Sequence, residues 1–382
     1  MQTWDIFCTV IDNYGDVGIT WRLARQLAAE HGVRPRLWVD DLRAFQAIRP
    51  EVDPSLDCQR LAGVEIRRWS DPLPEVAPGR VVIEALACNL PETFIRSMAD
   101  SRPKPVWLNL EYLSAEDWVR GCHGLPSPHP RLPLTKYFFM PGYVPGTGGV
   151  LREIWLEAAR REFQASAAAR TAFLRDLGVA EPAAGALLVS LFAYETRSVG
   201  ALLETWAQGA EPVELYIPRG KVLAGVEHWL GQAVAPRDGQ TRGNLRLWVL
   251  PMLDQDAYDR LLWACDCNFV RGEDSFVRAQ WAARPLVWQA YRQEEDAQRP
   301  KIKSFLDLYC AGLEPQAAEA LRAFWGAWNE DRDCASAWPA YRRRLAQFRL
   351  HANRWTEVLA APGDLAGNLV RFCEKQLGEK PK

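Results

Sequence analysis

The sequence predicts an α/β protein made of two doubly wound domains and a helical C-terminal segment. Three observations lead there. The chain has 382 residues, too many for one hydrophobic core of ordinary size and enough for two α/β domains. In both halves, apolar runs of strand length alternate with stretches of helical period, the pattern of parallel β-α-β units. After Gln289 the strand pattern stops and only helical spacing remains.

Composition bounds the function classes. Hydrophobic residues make up 48% and charged residues 25%, the balance of a soluble globular protein. A net charge of −2 gives no reason to expect a nucleic-acid partner. No apolar run approaches the ~18 residues of a membrane span. The first residues, Met1-Gln-Thr-Trp-Asp-Ile, carry no basic region or cleavage site, so no signal peptide is read there. The nine cysteines lack any CxxC spacing, and no HExxH occurs. Reduced thiols in a cytoplasmic protein without a zinc site are expected.

In the first half, Trp4–Ile11 reads as an apolar strand. Val17–His31 reads as a helix through Trp21, Leu23, Ala24, Leu27 and Ala28. Arg36–Val39, Gly63–Trp69, Val81–Ala85, Pro105–Tyr112 and Lys136–Met140 read as further strands, with helices through Phe45 and over Pro91–Met98. The Pro- and Gly-rich stretch from Gly121 to Gly149 reads as long loops, and Leu156–Leu177 as one Ala- and Arg-rich bridging helix. In the second half, strands are expected over Ala186–Ala193, Val213–Ile217, Leu245–Leu250, Cys267–Val270 and Leu286–Gln289. Helices are expected over Val199–Gln208, Val222–Gln232, Gln255–Cys265 and Glu273–Ala283, then over Ile302–Ala311, Pro315–Trp328, Ala337–Val358 and Leu365–Gln376. The expected domains are 1–155, a bridge over 156–183, a second domain over 184–360, and a last helix in 361–382 returning to the first domain. That layout is of the GT-B type, two Rossmann-like domains facing a cleft, an analogy at the level of fold alone.

Two strand-to-helix turns stand out. Such turns, at the carboxyl end of a strand and the mouth of a helix, are where open α/β sheets hold ligands. The first is Asp12-Asn13-Tyr14-Gly15-Asp16-Val17-Gly18, whose glycines allow a sharp turn and close approach of a ligand. Asp16 alone could be a helix cap, and Asp12 could bond its own turn; a cap accounts for one aspartate and not for the whole cluster. It is not GxGxxG, which disfavours a dinucleotide. The second is Arg271-Gly-Glu273-Asp274-Ser275. Arg271 suits bidentate contact with a phosphate, and Ser275 with the helix N–H groups suits further phosphate oxygens. Carboxylates repel a diphosphate, so Glu273 and Asp274 suit sugar or ribose hydroxyls or backbone N–H groups. The alternative is an acidic first turn that complements the helix dipole.

Phe192 and Tyr194, alternate residues of an extended chain, should share a face and could hold a base, or be core. Gln255, after another strand of the same half, has the paired donor and acceptor to read an imide edge. Trp263, Trp281 and Trp288 read as core. Asp254-x-Asp256 has DxD spacing but opens a helix, and reads as its cap.

These motifs carry a resemblance. Val10–Gly18 with Trp21-Arg22-Leu23-Ala24, Lys136-Tyr-Phe-Phe-Met-Pro-Gly142, and Asn268–Trp281 are similar to the signatures of the EarP family, protein-arginine rhamnosyltransferases that modify bacterial elongation factor P. The resemblance covers the whole chain and its length. It implies an inverting GT-B glycosyltransferase that uses dTDP-β-L-rhamnose and gives an α-linked product on a guanidinium nitrogen of one arginine. By the same resemblance Asp12, Asp16 and Glu273 match the family's essential carboxylates, and Phe192, Tyr194, Gln255, Arg271, Asp274 and Ser275 fall where it binds the thymidine diphosphate. Asp16 is expected as the general base, with no cofactor and no metal required. The alternatives are a GT-B transferase or epimerase for another nucleotide sugar, or a non-catalytic scaffold that binds elongation factor P.

Overall fold

The structure is a computed structural model that describes residues 2–11, 14–292 and 298–378. It divides into two units, Met1–Ile154 with Val358–Lys382, and Trp155–Glu357. The architecture is α/β of the GT-B type, with one mixed, mainly parallel sheet in each unit.

The strands of the first unit are β1 (Thr3–Cys8), β2 (Arg34–Val39), β3 (Cys58–Leu61), β4 (Val64–Arg68), β5 (Val81–Ala85), β6 (Val106–Leu110), β7 (Pro126–Pro128) and β8 (Thr135–Phe139). They lie in the order β3-β4-β2-β1-β5-β6-β8-β7. The chain moves outward from β1 through β2 and β4, then returns to lay β5 on the other side of β1, with Ile6 opposite both Leu37 and Ile83. This reversal between β1 and β5 is the switch point at which an open α/β sheet opens a crevice.

Helix α1 (Gly15–His31) ends at Gly32, whose φ of 62° supplies the left-handed cap. It buries Trp21, Leu23 and Leu27. Elsewhere in the core, Phe7 stacks on Trp38 at 5.4 Å and meets Phe94 edge-on at 4.9 Å; Phe94 comes from α3 (Glu92–Asp100). The stretch 121–149, read as loops, also contains the end of α4 (Trp118–Cys122) and the edge strand β7, which pairs antiparallel with β8. A Pro-Ser-Pro strand is tolerable only at an edge, where missing N–H groups cost no ladder bonds.

The second unit opens with α5 (Leu156–Ala165) and α6 (Ala167–Asp176). The single helix expected over 156–177 is therefore two. Ser166 breaks it with an extended backbone, and its hydroxyl accepts the Ala169 N–H at 3.0 Å to cap the second. The strands are β9 (Leu187–Leu191), β10 (Val213–Pro218), β11 (Gly239–Arg242), β12 (Leu245–Leu250), β13 (Cys267–Arg271) and β14 (Leu286–Gln289), in the order β11-β12-β10-β9-β13-β14. All are parallel except β11, an antiparallel edge.

The helices between and after these strands are α7 (Ser198–Gln208), α8 (Leu223–Leu230), α9 (Gln255–Ala264), α10 (Asp274–Trp281), α11 (Gln298–Cys310), α12 (Pro315–Asn329), α13 (Cys334–Arg343) and α14 (Leu345–Ala360). The helix expected over 337–358 is thus also divided, at Arg344. Phe269 of β13 is enclosed edge-on by Trp206 (6.0 Å), Phe324 (6.0 Å) and Trp328 (5.0 Å). Trp263, Trp281 and Trp288 are buried, as core residues should be.

Helix α15 (Leu365–Leu377) lies in the first unit. Phe372 meets Tyr137 and Phe139 at 5.6 and 5.7 Å, and Asn368 donates to the Gly148 carbonyl at 2.9 Å. Gly149, at φ 76°, permits this seam: a Cβ there would stand 2.2 Å from the Gly363 carbonyl oxygen. All nine cysteines are free thiols. Among the described residues no helix is long and apolar enough to cross a membrane.

Candidate active site

In the second unit the charged turn follows β13. Gly272 takes a φ of 60°, which turns the chain from strand to helix, and its carbonyl accepts the Trp288 Nε1–H at 3.0 Å. Ser275 Oγ accepts the Arg271 N–H at 3.1 Å and donates to the Arg271 carbonyl, closing the turn on itself. Its proton is therefore engaged locally, and an anion at this turn would meet the α10 N–H groups first.

Arg271, 5% exposed, places its guanidinium carbon 4.6 Å from the ring centroids of both Phe192 and Tyr194. The two aromatics do share a face, and what they hold here is a cation. Phe192 also meets the buried ring of Tyr258 at 5.6 Å; burial keeps the Tyr258 hydroxyl well above the ordinary phenol range, so it stays protonated.

Gln255 is buried, and its amide donates to Asp274 Oδ2 at 2.9 Å. That bond joins the first turn of α9 to the first turn of α10. Glu273, half-buried, is the N-cap residue of α10 without a capping bond from its side chain. Asp254 does cap α9, accepting the Ala257 N–H at 2.7 Å, as its place before the helix suggested. Two other charges behind the turn are structural. Arg278 donates from Nε and Nη2 to Asp259 at 3.0 and 2.6 Å, and both side chains are buried.

A cavity of about 280 Å³ opens at the carboxyl ends of β9, β10 and β14, lined by Tyr194, Lys221, Gln289, Tyr291, Arg292 and Asn329 among others. Of the described residues singled out from sequence as site candidates, Tyr194 alone lines it. Gln289 accepts the Tyr194 N–H at 2.8 Å, Tyr291 meets the Tyr194 ring at 5.6 Å, and Lys221 Nζ stands 5.9 Å from it. Sequence reasoning missed these residues. Their signal was available in Pro218-Arg-Gly-Lys221 and Gln289-Ala-Tyr-Arg292, polar turns directly after parallel strands.

In the first unit, Asp12 lies outside the described residues. Asp16, in the first turn of α1, is 1% exposed. Its Oδ2 accepts the Ile11 N–H at 2.9 Å and its Oδ1 accepts the Tyr112 hydroxyl at 3.0 Å. The N-cap of α1 is Tyr14, and these two bonds of Asp16 instead tie the loop after β1 to the segment after β6. Arg22, from the same motif, is buried at 3.9 Å from Glu153.

Two doubly wound units with a cationic, aromatic turn at the switch point of the second define a glycosyltransferase of the GT-B type. The family model described as Elongation-Factor P (EF-P) rhamnosyltransferase EarP matches residues 4–374, and the chain belongs to that family. It is 52% identical to a protein-arginine rhamnosyltransferase of Pseudomonas aeruginosa, with 97% of this chain and 99% of the relative covered. To the protein of the same description from Shewanella oneidensis it is 42% identical, with 97% and 98% covered. A solved structure, described as the structural basis for EarP-mediated arginine glycosylation of translation elongation factor EF-P, matches with a TM-score of 0.71 and 39% identity, covering 98% of this chain and 99% of that one.

Proposed function

We propose that this protein transfers L-rhamnose from dTDP-β-L-rhamnose to a guanidinium nitrogen of an arginine on elongation factor P, with inversion to the α-linked product. The observation that carries this reading is the family match across residues 4–374. The local geometry supports a division of labour. The turn after β13 takes the donor, with Arg271 and the α10 N–H groups on the diphosphate and Glu273 toward the sugar hydroxyls. Phe192, Tyr194, Gln255 and Asp274 surround the nucleoside, and the adjoining cavity carries Lys221 beside Glu195, with Arg292 paired to Asp331 at 3.3 Å. Ser275 holds the turn in shape.

The acceptor is a poor nucleophile. Its guanidinium is protonated, with a pKa above about 12, and its lone pairs are delocalised. A carboxylate that pairs with it, orients it and takes the proton as the C–N bond forms removes that obstacle. Asp16 is that base, and Asp12 helps to bind and polarise the guanidinium. As the new bond forms at the anomeric carbon, the bond to dTDP breaks and the electron pair leaves on the diphosphate. Arg271 and the α10 N-terminus stabilise that charge, so the reaction requires neither a divalent metal nor a cofactor.

Intact-mass measurement of elongation factor P after incubation with enzyme and dTDP-rhamnose tests the reading. A single deoxyhexose addition is expected. No addition, with turnover of UDP- or GDP-sugars instead, points to another nucleotide-sugar enzyme; binding without any turnover points to a scaffold. Arg271→Ala is expected to weaken dTDP about tenfold to a hundredfold, the value of one charge-assisted contact, with elongation factor P affinity unchanged. Calorimetry that finds wild-type dTDP affinity defeats the role given to Arg271.

A further inference from the structure

We infer that Tyr112 is a positioning residue for the reaction, holding the Asp16 carboxylate in place from the segment after β6 while braced on a strained turn at the switch point of the first sheet. The inference rests on Asp16 being the base. The Tyr112 hydroxyl lies 3.0 Å from Asp16 Oδ1 and 3.3 Å from the Leu86 carbonyl oxygen. One phenol thus links the segment after β6, where it resides, to the first turn of α1 and to the turn that follows β5.

That last turn is unusual. Leu86 and Ala87 are consecutive non-glycine residues with positive φ, 56° and 65°. Side-chain-bearing residues rarely adopt this conformation, at a cost of about 1–3 kcal/mol each, and it persists only where surrounding bonds over-determine it. Here the Leu86 N–H donates to the Leu110 carbonyl at 2.8 Å, so the turn begins while the β5–β6 ladder is still paired. The strain falls on the two residues directly after β5, beside the β1–β5 reversal.

The consequence for Asp16 is geometric. Its carboxylate has one anchor on the loop after β1, the Ile11 N–H, and a second across the sheet in Tyr112. Together they fix the carboxylate plane. Without the phenol, Asp16 keeps its charge, its place on α1 and the Ile11 bond to Oδ2, but loses the contact on Oδ1 that sets the tilt of the carboxylate. A base that is misplaced by a fraction of a bond length loses rate without losing affinity for either substrate.

Tyr112→Phe removes only the oxygen. We expect kcat to fall about tenfold to a hundredfold while KM for the donor and for elongation factor P stay within twofold of wild type. Tyr112→Leu, which also removes the ring, is expected to lower the thermal midpoint further without lowering kcat beyond the Phe variant. Wild-type kcat in Tyr112→Phe overturns the inference. So does a lower thermal midpoint with raised KM values and unchanged kcat, which would mean a merely structural role. Asp16→Asn is run beside it: if that variant turns over normally, the base assignment fails; if it is inactive while Tyr112→Phe is not, the positioning role alone fails.

Discussion

Asp16→Asn is expected to lower turnover by about 10²–10⁴-fold, the range that general-base catalysis supplies, with dTDP affinity unchanged. The substitution is nearly isosteric, and the observed bonds accommodate it. The asparagine oxygen can still accept the Ile11 N–H that Asp16 Oδ2 now accepts at 2.9 Å. Its amide can face Tyr112, whose hydroxyl then accepts from the amide and donates to the Leu86 carbonyl 3.3 Å away. These hydrogen bonds are therefore retained while the negative charge and the basic lone pairs are gone. Single-turnover kinetics with saturating donor and acceptor is the measurement. Near-wild-type turnover rules Asp16 out as the base, whatever the affinity.

The second large effect concerns stability. Asp259→Ala is expected to destabilise the second unit by about 3–5 kcal/mol, the cost of breaking a buried ion pair from one side. For a unit of this size that corresponds to a fall in thermal midpoint of about 10 °C. Asp259 on α9 and Arg278 on α10 are joined by two donors at 3.0 and 2.6 Å, with side chains 2% and 1% exposed. Removing the carboxylate leaves a guanidinium charge in a place that water does not reach. The pair sits one turn beyond Glu273–Ser275, so its loss should loosen the turn proposed to take the donor and weaken dTDP as well. Asp259→Ala with Arg278→Met replaces the pair by apolar groups and should recover much of the stability. A thermal midpoint within a degree of wild type for the single variant would show that the pair contributes little.

The sequence was most legible where burial on both sides of a sheet dictates residue type. Val81–Ala85, Leu245–Leu250 and Leu286–Gln289 are apolar strands at the expected bounds. It was least legible at the edges. Cys58-Gln-Arg-Leu61 and Gly239-Gln-Thr-Arg242 pair on one side only and carry polar side chains that read as loop; Pro126-Ser-Pro128 has no strand signature at all.

Within the site, each turn could be located because a strand, a glycine and a charge adjoin in sequence. What each charge touches could not be read. Arg278 and Arg271 look alike on the page, yet one meets a carboxylate from α9 and the other two rings from the segment after β9. Lys221 and the Gln289–Tyr291 turn converge on Tyr194 from places far apart along the chain; each polar turn after a strand is visible locally, but their meeting is not.

The seam at Gly149 bears on how the protein is made. The 149–150 backbone abuts Gly363, and Asn368 reaches back to Gly148, so the first unit closes through residues that follow the entire second unit in the chain. During synthesis from the N-terminus, the eight-stranded sheet must form, or be kept from aggregating, before α15 exists to cover Tyr137 and Phe139. The emergence of α15 is thus the step that commits the first unit, and removing the chain from Leu365 onward leaves that unit unfinished however intact the second one is.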